Sequence, residues 1–257
     1  MNSAIDIPIW IINLKRDTER LLFMQTQMQR LDLDYRIIEA IDGRSLGDNE
    51  KAPYSKSIAL RDFGRELTAG EIGCALTHIK IWELMVKEGI EEILILEDDV
   101  HLGTALIGVL NHRDRLPQDY QHINFSTNAR QAPFGDFVTD IYRASRHIER
   151  PYLTSAYLLT KAGAQKLLKL VSPLYMPIDN FITITDIISY GIYPRVVVLA
   201  ETPSGIGRRS DNIPKVSFWQ KKWRQFKEIL KSIAFFFGAT EQGLINAHLK
   251  VNNIIRR

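Results

Sequence analysis

The sequence predicts an α/β fold built around a mostly parallel sheet, and three observations point to it. Residues 7–13, 35–41 and 93–96 are short, mostly apolar runs of the kind that form buried strands. Residues 18–31 and 68–88, which lie between these runs, carry apolar side chains at helical spacing. Parallel strands need a long crossover, usually a helix, so this alternating order is typical of a parallel sheet with helices on its faces.

The first helix and the second strand have recognisable ends. Asp17 or Thr18 can cap the helix, and Asp42-Gly43 forms a turn out of the second strand. Residues 44–66 are polar with weak periodicity, which predicts loops and a short helix. The buried face of the first helix is expected to hold Leu21, Met24, Met28 and Leu31.

The second helix begins with a capping-box sequence. Thr68 and Glu71 stand three residues apart at its start, and Gly89 ends it. Its core-facing residues are Ile72, Ala75, Leu76, Ile79, Trp82 and Val86. Further strands are predicted at 120–126, 152–160 and 195–200, and further helices at 161–171 and 178–190.

The composition is that of an ordinary folded domain, with 45% hydrophobic and 25% charged residues in a chain of 257. Cys74 is the single cysteine, so no internal disulfide can form, and a reducing compartment fits. We expect no cleavable leader, because the first residues pass directly into a predicted strand, and no apolar run in the sequence approaches the roughly 20 residues that span a bilayer. We therefore expect a cytoplasmic protein, or one on a cytoplasmic face, with no nucleic-acid partner.

The charge is concentrated at the C-terminus. Residues 207–257 hold 11 Lys and Arg against 3 Asp and Glu, a net +8, which leaves −5 for the rest of a chain whose total is +3. Residues 218–238 have a helical period that sets an aromatic face opposite a basic one, as in helices that lie on anionic lipid. A docked terminal helix or a dimer contact would show the same pattern. The two faces are Trp219, Trp223, Phe226, Leu230, Ile233 and Phe237, and Lys221, Arg224, Lys227 and Lys231.

Three consecutive carboxylates follow the third strand directly. Glu97, Asp98 and Asp99 come after Ile-Leu-Ile-Leu, at the edge of the sheet where α/β proteins bind ligands. If the strand persists to its end, Glu97 and Asp99 face one way and Asp98 the other. Such carboxylates can share Mg²⁺ or Mn²⁺, with diphosphate oxygens completing the shell. The other interpretation is a solvated strand end followed by an Asp-rich turn.

Six short blocks of the chain, taken in order, resemble a known enzyme family. They are 11–16 (IINLKR), 40–43 (AIDG), 67–78 (LTAGEIGCALTH), 93–100 (ILILEDDV), 155–164 (SAYLLTKAGA) and 176–179 (MPID). In this order and spacing, over residues 7–211, they resemble glycosyltransferase family 25. That family contains lipooligosaccharide-biosynthesis galactosyltransferases of Gram-negative bacteria and the related collagen galactosyltransferases.

The resemblance implies a GT-A fold, a Rossmann-like catalytic domain, which we place at residues 1–212. The charge and helical period of the C-terminal residues predict a basic amphipathic helical tail at 213–257. It implies inverting transfer of galactose from UDP-galactose, with Mn²⁺ or Mg²⁺, to a lipooligosaccharide or lipopolysaccharide acceptor. Because that acceptor is lipid-anchored, we expect residues 215–237 to hold the protein peripherally on the inner face of the inner membrane. Another UDP-hexose donor (glucose or N-acetylhexosamine) and a catalytically inactive membrane-associated scaffold remain alternatives. A sugar nucleotidyltransferase would carry a Gly-rich loop where residues 13–16 read NLKR.

The resemblance also assigns roles to individual carboxylates. By likeness to the family's Asp-x-Asp motif, Asp99 is the best metal ligand, with Glu97 beside it. Glu97 or Asp98 would contact ribose or the donor sugar. An inverting transfer needs a base near the acceptor hydroxyl, for which Asp179 is the first candidate and Asp98 the second. The alternative for Asp179 is a simple helix cap.

Donor contacts are expected from polar residues near the strand ends. Asn13, Arg16 and Arg20 follow the first strand and can receive uracil, ribose or diphosphate, although Arg20 also fits a solvated helix face. Ser210 and Asp211 match a polar block near the end of the family's catalytic domain. They are expected to approach the diphosphate, unless this segment is only a basic linker.

Three residues share one face of the second helix at positions i, i+3 and i+7. Glu71, Cys74 and His78 would suit a zinc triad, but capping explains Glu71 and core packing explains Cys74 more simply. His78 remains a candidate for a donor or phosphate contact. Asp42 is interpreted as a turn residue, and His101 departs from the family's usual continuation after the carboxylates, which leaves its participation open.

Overall fold

The computed structural model describes residues 5–51, 53–127, 129–147, 151, 153–184 and 187–200. This part of the chain contains ten strands and six α-helices, with a π-helical segment at Ala59–Phe63 and a 3₁₀ turn at Arg113–Arg115. The strands are β1 (Ile9–Asn13), β2 (Arg36–Glu39), β3 (Glu92–Glu97), β4 (Val100–Leu102), β5 (His122–Asn124), β6 (Asp136–Phe137), β7 (Arg143–Arg146), β8 (Ala156–Thr160), β9 (Ser189–Tyr193) and β10 (Val197–Leu199). The helices are α1 (Thr18–Arg30), α2 (Lys56–Ile58), α3 (Ala69–Glu88), α4 (Thr104–Asn111), α5 (Lys161–Leu170) and α6 (Ile178–Ile184).

Eight of the described strands form one sheet in the order β2-β1-β3-β8-β5-β9-β7-β6. Strand β1 runs parallel to β2 and β3, and β5 runs parallel to β9. Strand β8 is antiparallel to β3 and β5, and β7 is antiparallel to β6 and β9. The predicted α/β fold with flanking helices is confirmed, and the first three strands are parallel, as their helical crossovers require. The second half of the sheet is mixed because β8 enters it in the opposite direction.

Two predicted elements near the end of the described chain differ from the structure. The helix expected over 178–190 ends at Ile184, and Ser189–Tyr193 is instead a strand of the main sheet. β-Branched residues make this stretch a weak helix, and pairing with both β5 and β7 favours the strand. The strand expected over 195–200 is present as β10, but it pairs antiparallel with β4 outside the main sheet.

Apolar layers cover both faces of the sheet. Leu94 and Leu96 of β3 lie in one layer, together with Met24 of α1 and residues of α4. Ile93 and Ile95 lie in the other layer, with residues of α3, α5 and α6. Because β3 is buried on both faces, its sequence is an unbroken apolar run up to the first carboxylate.

Helix α3 packs closely against the turn that follows β2. A Cβ at Gly73 would lie within 3 Å of the backbone of Ile41 and Gly43, and a Cβ at Gly43 would collide with the backbone of α3. The predicted capping box is confirmed, since Thr68 Oγ1 accepts from the Glu71 amide at 3.2 Å and Glu71 Oε2 accepts from the Thr68 amide at 2.9 Å. These contacts fix the polar face of α3 beside the ends of β1, β2 and β3.

Among the helices in the described residues, none has both the length and the apolar character needed to cross a bilayer. The amphipathic segment at 215–237 and the proposed boundary after residue 212 lie outside the described residues. Both stay predictions.

Candidate active site

A cleft opens at the carboxyl ends of β1 and β3 and beside the start of α3. It contains about 720 Å³ of empty space, part of it open to solvent. Because neighbouring parallel strands end at the same edge of a sheet, side chains distant in sequence meet here. Nine residues discussed in the sequence analysis as possible site residues line this cleft: Asn13, Arg16, Arg20, Asp42, Cys74, His78, Glu97, Asp98 and Asp99.

Arg20 bridges the two aspartates of the cluster. Its Nη1 donates to Asp98 Oδ1 at 2.7 Å, and its Nη2 donates to Asp99 Oδ2 at 3.1 Å. Asn13 donates from Nδ2 to the second oxygen of Asp98 at 2.7 Å, so both oxygens of Asp98 are engaged. The strand ends at Glu97, so the expected alternation beyond it is not formed, and Asp98 and Asp99 meet the same guanidinium. The side chain of Arg20 is largely buried, which contradicts the solvated alternative.

Asp99 combines one engaged oxygen with one that is buried and free. Its Oδ1 makes no hydrogen bond with any described residue. Burial, together with the nearby charge of Glu97, raises the pKa of Asp99 to about 6 despite the opposing charge of Arg20. Burial also raises the pKa of Asp98, against the effect of Arg20 and Asn13. Burial in the cleft therefore disfavours the charged form of both aspartates.

Glu97 and His78 form the inner wall of the cleft. Glu97 Oε1 accepts from Thr154 Oγ1 at 3.0 Å and lies 3.5 Å from His78 Nε2. Burial raises the pKa of Glu97, but the nearby His78 and hydrogen bonds from Thr154 and Ser155 together outweigh burial, so the pKa is lowered overall. His78 is 1% exposed, and its Nδ1 lies 2.8 Å from the Tyr157 hydroxyl, which also accepts from Trp82 Nε1 at 3.0 Å. The imidazole is thus held in one orientation.

Thr154 and Tyr157 are site residues that the sequence reasoning missed. A tyrosine inside an apolar strand was a usable signal, because a buried hydroxyl needs a hydrogen-bonding partner. The partner could not be named in advance, since it depends on β8 pairing with β3, which brings Tyr157 opposite Ile95.

Cys74 lies half-buried on α3, one turn before His78. One ligand atom from each of Cys74, His78 and Glu97 lies within 4.8 Å of the others. Glu71 is committed elsewhere, to the capping box and to a two-point ion pair with Arg65 at 2.6 and 2.8 Å. The carboxylate that lies close to both Cys74 and His78 is Glu97 of β3. The sequence did not suggest this grouping. Burial and the carboxylates around it raise the pKa of the Cys74 thiol well above its usual range.

Arg16 and Asp42 form the outer part of the cleft. Nη1 of Arg16 donates to Asp42, and the Arg16 side chain is 44% exposed. Asp42 lies in the predicted turn, where its Oδ1 accepts from the Arg44 amide at 3.1 Å. His101 is exposed on β4 against the Phe23 ring and is not among the residues that line the cleft.

Asp179 is half-buried in the first turn of α6. Its charge is one of those that raise the pKa of Cys74, although Asp179 does not line the cleft itself. As the second residue of α6, it lies inside the helix and not at the N-cap position. Ser210 and Asp211 lie outside the described residues.

A carboxylate-lined cleft at the carboxyl ends of parallel strands is typical of α/β enzymes that bind nucleotides. The profile of glycosyltransferase family 25, described as an LPS biosynthesis protein, matches residues 6–182. Because that match covers well over half of the sequence, the chain belongs to glycosyltransferase family 25.

Curated relatives and a solved structure are similar to this chain. It is 29% identical over 197 residues to the probable inactive glycosyltransferase 25 family member 3 of Bos taurus, covering 68% of this chain and 31% of that protein. It is 26% identical over 194 residues to procollagen galactosyltransferase 2 of Homo sapiens, covering 68% and 30%. The chain thus spans less than a third of the length of these relatives. A glycosyltransferase involved in glycosylation of the major capsid of PBCV-1 is similar with a TM-score of 0.33 and 14% identity, covering 65% of this chain and 66% of that one.

Proposed function

We propose that this chain transfers galactose from UDP-galactose to a lipooligosaccharide or lipopolysaccharide acceptor, with inversion at the anomeric carbon. The observation that carries the proposal is the meeting of Glu97, Asp98 and Asp99 with Arg20 and Asn13 in one cleft. Family membership supports sugar transfer, and similarity to a procollagen galactosyltransferase supports galactose as the sugar.

The carboxylates of the cleft fit a divalent cation. Glu97 and the free oxygen of Asp99 offer the kind of ligand that Mn²⁺ and Mg²⁺ take, and Asp99 Oδ1 has no other partner in the described residues. We assign these two residues as metal ligands. When bound, the cation would neutralise charge on the departing diphosphate.

Other side chains of the cleft bind and orient the donor. Arg16, partly exposed beside Asp42, can exchange that partner for a diphosphate oxygen. Arg20 and Asn13 hold Asp98, whose oxygens retain lone pairs for a ribose hydroxyl. In the same proposal His78 contacts the donor from the inner wall, and Ser210-Asp211 approaches the diphosphate from the far side.

Asp179 is the proposed base for the acceptor hydroxyl. Asp98 is less suited because the charge of Arg20 and the hydrogen bond from Asn13 both oppose protonation of this carboxylate, and a base must take up a proton from the acceptor hydroxyl. Asp179→Asn keeps the size of the side chain and removes its basicity. The proposal expects this variant to lose transfer while it retains donor binding, measured by UDP titration.

The decisive experiment incubates the chain with Mn²⁺, a truncated lipooligosaccharide and each of a panel of UDP-sugars, with products identified by mass spectrometry. UDP-galactose should give a product one hexose heavier, whose anomeric configuration is opposite to that of the donor. Asp99→Asn should lower the rate by roughly 10²–10³-fold, as the loss of a charge-stabilising group does in other enzymes. Asp136→Asn, which changes an exposed aspartate of β6, is the matched control and should leave the rate unchanged.

The same experiment distinguishes two alternatives to this proposal. Product from UDP-glucose or a UDP-N-acetylhexosamine in place of UDP-galactose would keep the reaction class and change the sugar. A catalytically inactive, membrane-associated scaffold is the second candidate, and it is favoured by the similarity to relatives named as inactive. Absence of both transfer and UDP-sugar hydrolysis across the panel would support the scaffold and refute the transferase.

We also propose a peripheral location on the cytoplasmic side of the inner membrane, through an anionic surface bound by residues 215–237. The basic and aromatic pattern of that segment supports it. Deletion of residues 215–257 should abolish sedimentation with vesicles that contain anionic lipid. Unchanged sedimentation of the shortened chain would contradict the proposal.

A further inference from the structure

Thr154 holds the carboxylate of Glu97 without lining the cleft itself. Its hydroxyl donates to Glu97 Oε1 at 3.0 Å, and the residue is only 5% exposed. His78 Nε2 lies 3.5 Å from the same oxygen, so Oε1 is approached by two groups of the chain. The contact of Thr154 with the site is therefore through Glu97, which the proposed function uses as a metal ligand.

The backbone just before Thr154 has an unusual conformation. Leu153 lies in the left-handed region, with a φ of 74°, which glycine adopts freely and a bulky residue adopts only with strain. Among the non-glycine residues that the structure describes, only Asp32 and Leu153 have a positive φ. A strained conformation of this kind persists only where its surroundings hold it in place.

Asn124 holds the carbonyl group of Leu153 in this conformation. Its Nδ2 donates to the Leu153 carbonyl at 2.8 Å. Its Oδ1 accepts from the amides of Ser126 and Thr127 at 2.9 and 2.8 Å. Asn124 is 2% exposed, so these bonds form in the interior of the protein. Three bonds thus fix the side chain of Asn124, which in turn fixes the backbone of residue 153.

The residue after Thr154 is tied to the strand that carries Glu97. The Glu97 amide donates to the Ser155 carbonyl at 2.8 Å, which extends the pairing of β3 with β8 by one step. Thr154 is therefore anchored on both sides, through residues 153 and 155. With both neighbours fixed, the hydroxyl is directed at Glu97 Oε1.

We propose that Thr154 is a positioning residue, which orients Glu97 so that this carboxylate meets the divalent cation in a fixed conformation. A free glutamate side chain has several rotamers, and a ligand that is already held in one of them loses less freedom on binding. Carboxylates that bind metals are themselves hydrogen-bonded by neighbouring groups for this reason. The left-handed backbone at Leu153 is what directs the hydroxyl. The inference rests on the proposed function for the use of the cation, but it is tested by metal binding without sugar transfer.

The test titrates the full chain, free of any polyhistidine tag, with Mn²⁺ alone and follows the electron paramagnetic resonance signal of the free ion. Thr154→Val keeps the shape of the side chain and removes the hydroxyl, so it should weaken Mn²⁺ binding by about 10–100-fold. Thr154→Ser keeps the hydroxyl and should bind Mn²⁺ nearly as the unchanged chain does. Thr26→Val, which removes an exposed hydroxyl bonded to the Leu22 carbonyl in α1, is the matched control and should leave Mn²⁺ binding unchanged.

A second pair of variants tests the backbone at Leu153. Leu153→Gly adopts the same φ without strain and should bind Mn²⁺ as the unchanged chain does. Leu153→Val carries a branched Cβ, which disfavours the left-handed region, and should weaken binding as Thr154→Val does. Circular dichroism establishes that each variant is folded. Equal Mn²⁺ binding by the two variants would refute the role of the left-handed backbone.

The transfer assay supplies a readout that distinguishes positioning from a loss of folded protein. If Thr154 acts through the cation, a higher Mn²⁺ concentration should restore most of the transfer rate that Thr154→Val loses. A variant that has only lost folded protein would keep its lower rate at every Mn²⁺ concentration.

Equal Mn²⁺ affinity in Thr154→Val and the unchanged chain, or a Thr154→Ser variant as weak as Thr154→Val, would overturn the inference and leave the proposed function standing. Absence of Mn²⁺ binding by the unchanged chain would overturn the metal assignment and the inference together. A chain that binds Mn²⁺ with the help of the Thr154 hydroxyl but transfers no sugar would refute the transferase and keep the positioning role.

Discussion

The Tyr157 hydroxyl joins two buried groups of α3 to the sheet, so Tyr157→Phe tests how much this junction stabilises the protein. The hydroxyl accepts from Trp82 Nε1 at 3.0 Å and lies 2.8 Å from His78 Nδ1, and all three side chains are almost fully buried. The substitution removes one oxygen, keeps the ring, and leaves two buried nitrogens without their partner.

The expected loss follows from those two nitrogens. A buried polar group left unpaired costs about 1–3 kcal/mol, and the imidazole can lower its share by changing tautomer. We expect Tyr157→Phe to lower the free energy of unfolding by about 2–4 kcal/mol, which is roughly 4–16 °C in melting temperature for a domain of this size. Calorimetry and urea unfolding of the two proteins at the same pH measure the change.

Tyr193→Phe is the matched control, because this tyrosine is 54% exposed and keeps its ring against the Arg143 guanidinium after the change. It should alter stability by less than about 0.5 kcal/mol. If Tyr157→Phe were as mild as Tyr193→Phe, the hydroxyl would not be the anchor of His78, and the argument for a fixed imidazole would fail.

Two further predictions concern the fold. Burial, with the charge of His147, lowers the pKa of His122 to about 3, and burial lowers the pKa of His147 to about 4. As pH falls through 6.5 the unfolded chain takes up protons that the folded chain does not, so stability should fall by about 1.4 kcal/mol for each histidine between pH 7.5 and 5.5. Urea midpoints at these two pH values should show a smaller fall for His122→Gln, and an unchanged fall would contradict this. Gly73→Ala forces a Cβ into the backbone of the turn after β2 and should destabilise by about 1–3 kcal/mol. Gly108→Ala, in α4 with open space around it, should instead stabilise by about 0.5–1 kcal/mol, so equal melting temperatures of the two variants would refute the packing argument.

The local parts of the fold could be predicted from the sequence because their causes are local. The capping box needs only Thr68 and Glu71 at a spacing of three, and the buried strand β3 needs only its own run of apolar residues. The carboxylates follow that strand without a gap, so their position at the sheet edge was predictable as well.

The remaining parts depend on partners far away in the chain. No local pattern shows that Arg20 holds two aspartates, because its partners are 78 and 79 residues further on. The predicted helix over 178–190 extended into the first two residues of β9, because the sheet neighbours of this strand, not its own residues, determine its conformation. Glu97 could not be connected to Cys74 and His78 from the sequence, because their proximity depends on how α3 packs beside the end of β3.

Strand β8, which runs against its neighbours in the middle of the sheet, brings a late section of the chain to an early one. Tyr157 reaches His78 across 79 residues, and Thr154 reaches Glu97 across 57. During synthesis, then, the first three strands can pair well before the inner wall of the cleft has its supports. A fragment that ends before residue 150 would contain every charged residue that lines the cleft, but it would lack Tyr157 and Thr154. The cleft can therefore reach its final geometry only after the second half of the domain has folded.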